Sequence, residues 1–214
     1  VMGEGGSWVI PLLSGHIGGA NRLARRVAGI AGARPVLTTA TDGRGLWAVD
    51  DWAAAYGMTV ANPGRIKMVS SALLRGRTVA VRTGEDITLE KPLPEHVEVV
   101  TGPGYVDAVV AWERHVPAGA LHLIPRCLTV GVGCRRGAPS ADIEAAVNAV
   151  LDEADADPRA VTGLASIDIK ADEPGIRDVC ARMGLQLKTY SAAELAEVAG
   201  SVSPSAFVEQ AVGV

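Results

Sequence analysis

Phenylalanine occurs once in the 214 residues, and aromatic residues make up only 4% of the chain. Cores must therefore be filled by smaller side chains, and the abundance of Ala, Val and Gly points to an α/β protein. Cysteine is almost as scarce. Cys127, Cys134 and Cys180 form an odd set with no CxxC spacing, which supports neither a disulfide framework nor a zinc site. No apolar run approaches the ~20 residues of a membrane helix, and Val1-Met2-Gly3-Glu4 lacks the basic-then-apolar start of a signal peptide. The reading is therefore no membrane, with the cytoplasm as default compartment. A broad basic surface is also missing. The net charge of −4 excludes nucleic acid as a partner and leaves Arg75–Arg77 and Arg135-Arg136 as local features. The chain opens on Val1, which points to further sequence upstream.

What is present is ordinary globular material. A hydrophobic content of 48% with 21% charged residues excludes long disorder and can build one large or two small domains. The near-continuous apolar run Ser7–Leu13 predicts a strand buried on both faces. It leads into the glycine-dense Ser14–Asn21 (SGHIGGAN). Leu23, Val27 and Ile30 then recur at helical spacing, predicting an amphipathic helix, and Pro35–Thr39 predicts a second strand parallel to the first. Helices are expected over Ala48–Tyr56 and Pro63–Leu74. Short strands follow at Thr78–Arg82, Val97–Thr101, Ala108–Glu113 and Ala120–Ile124, with Pro117 and Pro125 bracketing a linker.

The last third predicts a strand at Leu128–Val132, a helix from about Ala141 to Glu153 capped by Ser140, and a short helix start at Asp157-Pro158. A strand at Ala165–Lys170, a helix near Gly175–Met183 and a strand at Leu185–Tyr190 complete it. Ser191 with Glu194 reads as a capping box for a final helix. The fold class is thus α/β, with two α/β domains of mostly parallel sheets joined by a smaller strand-rich middle portion. The boundaries are 1–46 for what remains of an N-terminal α/β domain, 47–125 for the middle and 126–214 for the C-terminal α/β domain.

Four polar segments fall at strand ends, where open α/β sheets bind ligands. In SGHIGGAN, His16 is a candidate general base or metal ligand, and the helix-start amides favour an anion or carbonyl oxygen. The same pattern also fits a tight turn with a surface histidine. Its spacing matches neither G-x-G-x-x-G nor a Walker A loop, so a nucleotide is not favoured. Thr38–Asp42 (TTATD) places hydroxyls and a carboxylate at the same edge, for substrate contact or merely for turn backbone. Asp50 and Asp51 are read as capping or solvent-facing. In Gly131–Gly137 (GVGCRRG), Arg135 and Arg136 suit a bidentate grip on carboxylates. Cys134 has no histidine nearby in sequence and is read as a small pocket-lining residue. Ile167–Gly175 (IDIKADEPG) carries Lys170, Asp172 and Glu173, in either a functional or a solvated loop.

Together these stretches resemble the CbiG family, the cobalt-precorrin-5A hydrolases of anaerobic cobalamin biosynthesis. The match lies in VIPLLSGHIGGANRLA (9–24), PVLTTATD (35–42), AVDDWA (48–53), LTVGVGCRRG (128–137), LASIDIKADEPG (164–175) and YSAAEL (190–195), in the family's order. The block from about residue 126 also resembles the stand-alone homologue CobE. Family members carry further sequence upstream and a short Ala-rich helix beyond the end of this chain.

The resemblance implies opening of a ring-contraction δ-lactone with release of acetaldehyde. In that picture His16, Asp42 and Glu173 are the candidate catalytic residues. Gly18, Gly19, Asn21, Thr39, Thr41, Cys134, Arg135, Arg136 and Lys170 contact the substrate. No cofactor or protein-held metal is called for, because cobalt arrives within the corrinoid. A homodimer, or contacts with the pathway's methyltransferases, are the assemblies left open. The competing reading is a non-catalytic corrinoid-binding or carrier protein of the same pathway.

Overall fold

A computed structural model describes residues 1–3, 5–12, 19–37, 45–84, 86–89 and 94–198. It divides into two compact units, Val1–Pro125 and Arg126–Val214. Among the described residues no helix is long and apolar enough to cross a membrane.

The first unit begins with a short parallel ladder. Strand β1 (Trp8–Val9) pairs with β2 (Arg34–Pro35), and α1 (Ala20–Ala31) connects them. The order strand, helix, parallel strand is the expected one, but both strands are shorter than their apolar runs. Trp8 stays 48% exposed, so β1 is not buried on both faces; β2 lines one edge, and Met2 bridges Val9 antiparallel. Helix α1 also turns a different face inward than its large apolar residues suggest. Asn21, Ala24 and Ala28 are buried, whereas Leu23 and Ile30 are exposed. Small side chains bring the helix backbone close to Val9 in a core of Val9, Ala24 and Ala28.

Residues 47–125 hold the widest described sheet. Strands β3 (Thr59–Val60), β4 (Val79–Thr83), β5 (Val97–Val99), β6 (Ala108–Val110) and β7 (Leu121–Ile124) lie in the order β3-β7-β6-β4-β5. Only β3–β7 is antiparallel. Helices α2 (Val49–Ala55) and α3 (Ile66–Leu74) contribute Val49, Ala53, Val69 and Leu73 to one core, against Val79, Val81, Val110, Leu121 and Leu123 of the sheet. Trp47 and Trp52 pack edge to face there, 5.5 Å between ring centroids. The opposite side packs Val106, Val109, Ala111 and Ala120. The stretch between Pro117 and Pro125 is therefore no linker: it carries β7, a fully buried strand held by β6 and β3. Asp50 is buried and Asp51 pairs with Arg25 at 3.1 Å, so neither simply faces water.

The second unit is a three-stranded parallel sheet, β8 (Leu128–Gly131), β9 (Val161–Ile167) and β10 (Gln186–Tyr190), with β9 central. Helix α4 (Ser140–Glu153) joins β8 to β9, α5 (Pro174–Met183) joins β9 to β10, and α6 (Ala192–Val198) follows. The two crossover helices pack together, burying Ile143, Val147 and Leu151 of α4 and Ile176 and Val179 of α5. Short parallel strands with helical returns are what alternating apolar runs of this length must form.

Two helix starts are set locally. Asp157 accepts the Arg159 amide at 2.9 Å, and Ser191 and Glu194 form a reciprocal capping box. Ser140 is not a cap. Pro139 takes that position, and the Ser140 hydroxyl accepts from Arg182 instead.

Candidate functional site

Five of the sequence-derived candidates, His16, Gly18, Thr39, Thr41 and Asp42, lie outside the described residues. Of their group, Gly19 is the left-handed residue that starts α1 and Asn21 is fully buried in the first helical turn. The first-turn amides of such a helix have no intrahelical acceptor and are open to an anion or carbonyl oxygen.

The second unit shows its candidates in full. Strands β8 and β9 remain paired one residue past β8, where the Val132 amide donates to the Ala165 carbonyl at 2.8 Å. The buried Ser166 hydroxyl donates to the Val132 carbonyl at 2.7 Å. Beyond that point the β8–α4 connection (132–139) folds over the β9–α5 connection (168–173). The two are clasped by Glu173, whose residue is 2% exposed. One carboxylate oxygen accepts the Gly137 amide at 2.7 Å, and the other faces the Lys170 ammonium at 3.4 Å. Gly137 presents that amide from a left-handed backbone with φ 73°, a conformation glycine adopts without penalty.

Close approach closes the clasp from the other side. At Gly175 a Cβ would run into the Ala138 carbonyl oxygen and lie 2.9 Å from Ile143 Cδ1, so only glycine lets the loop sit this low. A turn in which the Ala138 amide bonds the Arg135 carbonyl at 3.2 Å then carries Arg135 and Arg136, both exposed, at its tip.

Cys134 is half-buried beside this clasp. Burial pushes its thiol up from the ordinary value, Glu173 adding to the shift and Lys170 opposing it. The thiol is thus protonated at neutral pH, which suits a lining residue and not a nucleophile. The structure gathers Cys134, Lys170 and Glu173 into one cluster under a loop bearing Arg135 and Arg136. Glu173 and Lys170 are turned toward each other and away from water, Lys170 with its side chain only 15% exposed. Gly137, Ser166 and Gly175 complete the arrangement and were not singled out by sequence reasoning. Their one local signal is a glycine in the first turn of a helix just after proline, where a better helix former would otherwise stand.

Comparison with known proteins adds to this geometry. Models of the cobalamin synthesis G N-terminal region, the cobalamin biosynthesis central region and the cobalamin synthesis G C-terminus match residues 1–42, 47–118 and 128–214. A cobalt-precorrin-5A hydrolase of Priestia megaterium is 32% identical over 216 residues, covering 91% of this chain and 57% of that protein. One of Salmonella typhimurium (strain LT2) is 30% identical over 235 residues, covering 100% of this chain and 64% of that protein. The chain thus spans about three fifths of these relatives' length. The crystal structure of CobE, from the cobalamin biosynthetic pathway, is 31% identical across 40% of this chain and 61% of that one, with a TM-score of 0.38.

Proposed function

Because the chain belongs to the CbiG family of cobalamin biosynthesis, we propose that it carries the activity of a cobalt-precorrin-5A hydrolase. The reaction opens the δ-lactone left by ring contraction and releases the extruded carbon, with its methyl, as acetaldehyde. Water adds its oxygen to the lactone carbonyl carbon and the acyl C–O bond breaks. The freed alkoxide collapses to the aldehyde, its C–C bond to the macrocycle breaks, and the ring carbon takes up a proton. Cobalt enters as part of the substrate.

This chemistry needs a base for the water, donors for the tetrahedral oxyanion and a firm hold on a polyanion. In this reading His16 takes the proton of the attacking water or orients it, with Thr39, Thr41 and Asp42 as its support. The backbone amides of Gly18–Asn21 receive the oxyanion. Arg135 and Arg136 hold the acetate and propionate arms, and Cys134 lines their approach.

The observation that carries the reading is the clasp. Two loops at the carboxyl edge of a parallel sheet are fastened so that an exposed Arg pair, without side-chain partners among the described residues, projects from their junction. Glu173 fits this better as a positioning residue than as the acid/base, because each of its oxygens has a partner inside the clasp. Lys170 spends its charge in the same place. The direct test is acetaldehyde release from cobalt-precorrin-5A by full-length protein carrying His16→Ala. A rate lowered at least about 100-fold supports the assignment. A wild-type rate removes His16 from the mechanism, and corrinoid binding without acetaldehyde from the unmodified protein makes it a carrier.

A further inference from the structure

A cavity of about 340 Å³ opens between α5 and β10, lined by Ala171, Arg177, Cys180, Leu187 and Thr189. Leu187 and Thr189 alternate with Lys188 along β10 and so share its α5-facing side. Cys180 is buried and contributes an uncharged sulfur, since burial pushes its thiol up. Ala171 directly follows Lys170 and is pinned by its amide to the Asp168 carbonyl at 2.9 Å. The rim of the cavity is therefore the same β9–α5 connection that Glu173 clasps.

Two donors project beside Cys180 and Leu187. The Arg177 guanidinium stands one turn into α5, where the Arg177 amide donates to the Glu173 carbonyl at 3.1 Å. The Thr189 hydroxyl stands opposite, on β10. Among the described residues neither side chain has a hydrogen bond or ion pair. Other guanidiniums of the molecule are engaged, such as Arg77 on Asp107, Arg159 on Asp157 and Arg182 on Glu144. A planar donor fork and a hydroxyl beside the Leu187 and Cys180 side chains together describe a receptor for a carboxylate on a brief methylene stem.

We infer that this cavity seats one acetate or propionate arm of the substrate, Arg177 and Thr189 donating to its oxygens while the stem lies on Leu187 and Cys180. The identity of the acid rests on the hydrolase reading; the carboxylate preference of the cavity does not. It adds a third anchor, on the other side of the β9–α5 connection from Arg135 and Arg136.

The test has two arms. In amide NMR on the full chain, propionate should shift Ala171 and Thr189 saturably, whereas propionamide and inorganic phosphate should not. Arg177→Gln should abolish the response. Equal shifts with propionamide or phosphate, or shifts that survive Arg177→Gln, overturn the carboxylate site. In absorbance titrations with a cobalt corrinoid bearing free carboxylate arms, Arg177→Gln and the isosteric Thr189→Val should each weaken binding, by about tenfold for the arginine. Affinity for a fully amidated corrinoid should not change. Propionate binding that depends on Arg177, combined with corrinoid affinity indifferent to it, overturns the assignment to the substrate and leaves the hydrolase reading standing. Both arms behaving as expected, in a full-length protein that releases no acetaldehyde, upholds the arm site and sinks the hydrolase reading alone.

Discussion

Glu173 is the residue on which the two loops of the second unit hang. Its carboxylate is shut off from water, with an amide on one oxygen and an ammonium on the other. Removing it leaves Lys170 largely buried without a counter-charge, the situation in which breaking a buried pair costs about 3–5 kcal/mol. Glu173→Ala should therefore lower stability by about 3 kcal/mol in urea titration. Glu173→Gln should lose less, because its amide oxygen can still accept from Gly137. Equal losses would mean that the Gly137 bond contributes nothing.

Asp107 makes the matching case in the first unit. Burial alone would raise its pKa, but the Arg77 guanidinium, the Ala80 amide and the Tyr105 hydroxyl outweigh it and hold the carboxyl below its usual range. A carboxylate with a depressed folded pKa stabilises the fold above its unfolded pKa, about pH 4. That stability is surrendered as pH falls through the folded value. Thermal melts of the wild type should thus fall steeply below about pH 4, and Asp107→Asn should be destabilised at pH 7 yet lose less across the acid window. Identical slopes in the two proteins would count against the Asp107 network.

At the scale of elements, Gly175 decides how close α5 comes to the β8–α4 loop. Gly175→Ala forces a methyl against the Ala138 carbonyl and Ile143, an overpacking expected to cost about 1–3 kcal/mol. Calorimetry would show it as a lowered Tm, and an unchanged Tm would mean the loop is not seated there.

Much of this level could be read from the sequence, for a physical reason. The Ser191–Glu194 box and the Asp157 cap connect residues two or three positions apart, so their pattern is written locally. Features that depend on distant partners could not be read in this way. Glu173 meets Gly137 across 36 positions, so its carboxylate resembled a catalytic group in a charged loop. Ala120–Ile124 was legible as a short strand, but its burial between β3 and β6 was not, because those partners lie elsewhere in the chain. Leu23 and Ile30 suggested the inward face of α1, but spacing alone does not show that the face against Val9 is lined by Ala24 and Ala28.

At the scale of the whole molecule, the proposed function draws on polar segments from each of the two units. The family was legible because six motifs stand in order along nearly the entire chain. The clasp beneath Arg135 and Arg136 was not legible, since it is purely tertiary. That projecting arginine pair is the feature on which the account stands. It is tested most directly by KM for cobalt-precorrin-5A, measured from acetaldehyde release by full-length protein carrying Arg135→Ala and Arg136→Ala. KM should rise about tenfold or more with kcat nearly unchanged, as loss of uniform binding requires. An unaltered KM, or a collapse of kcat alone, would contradict it.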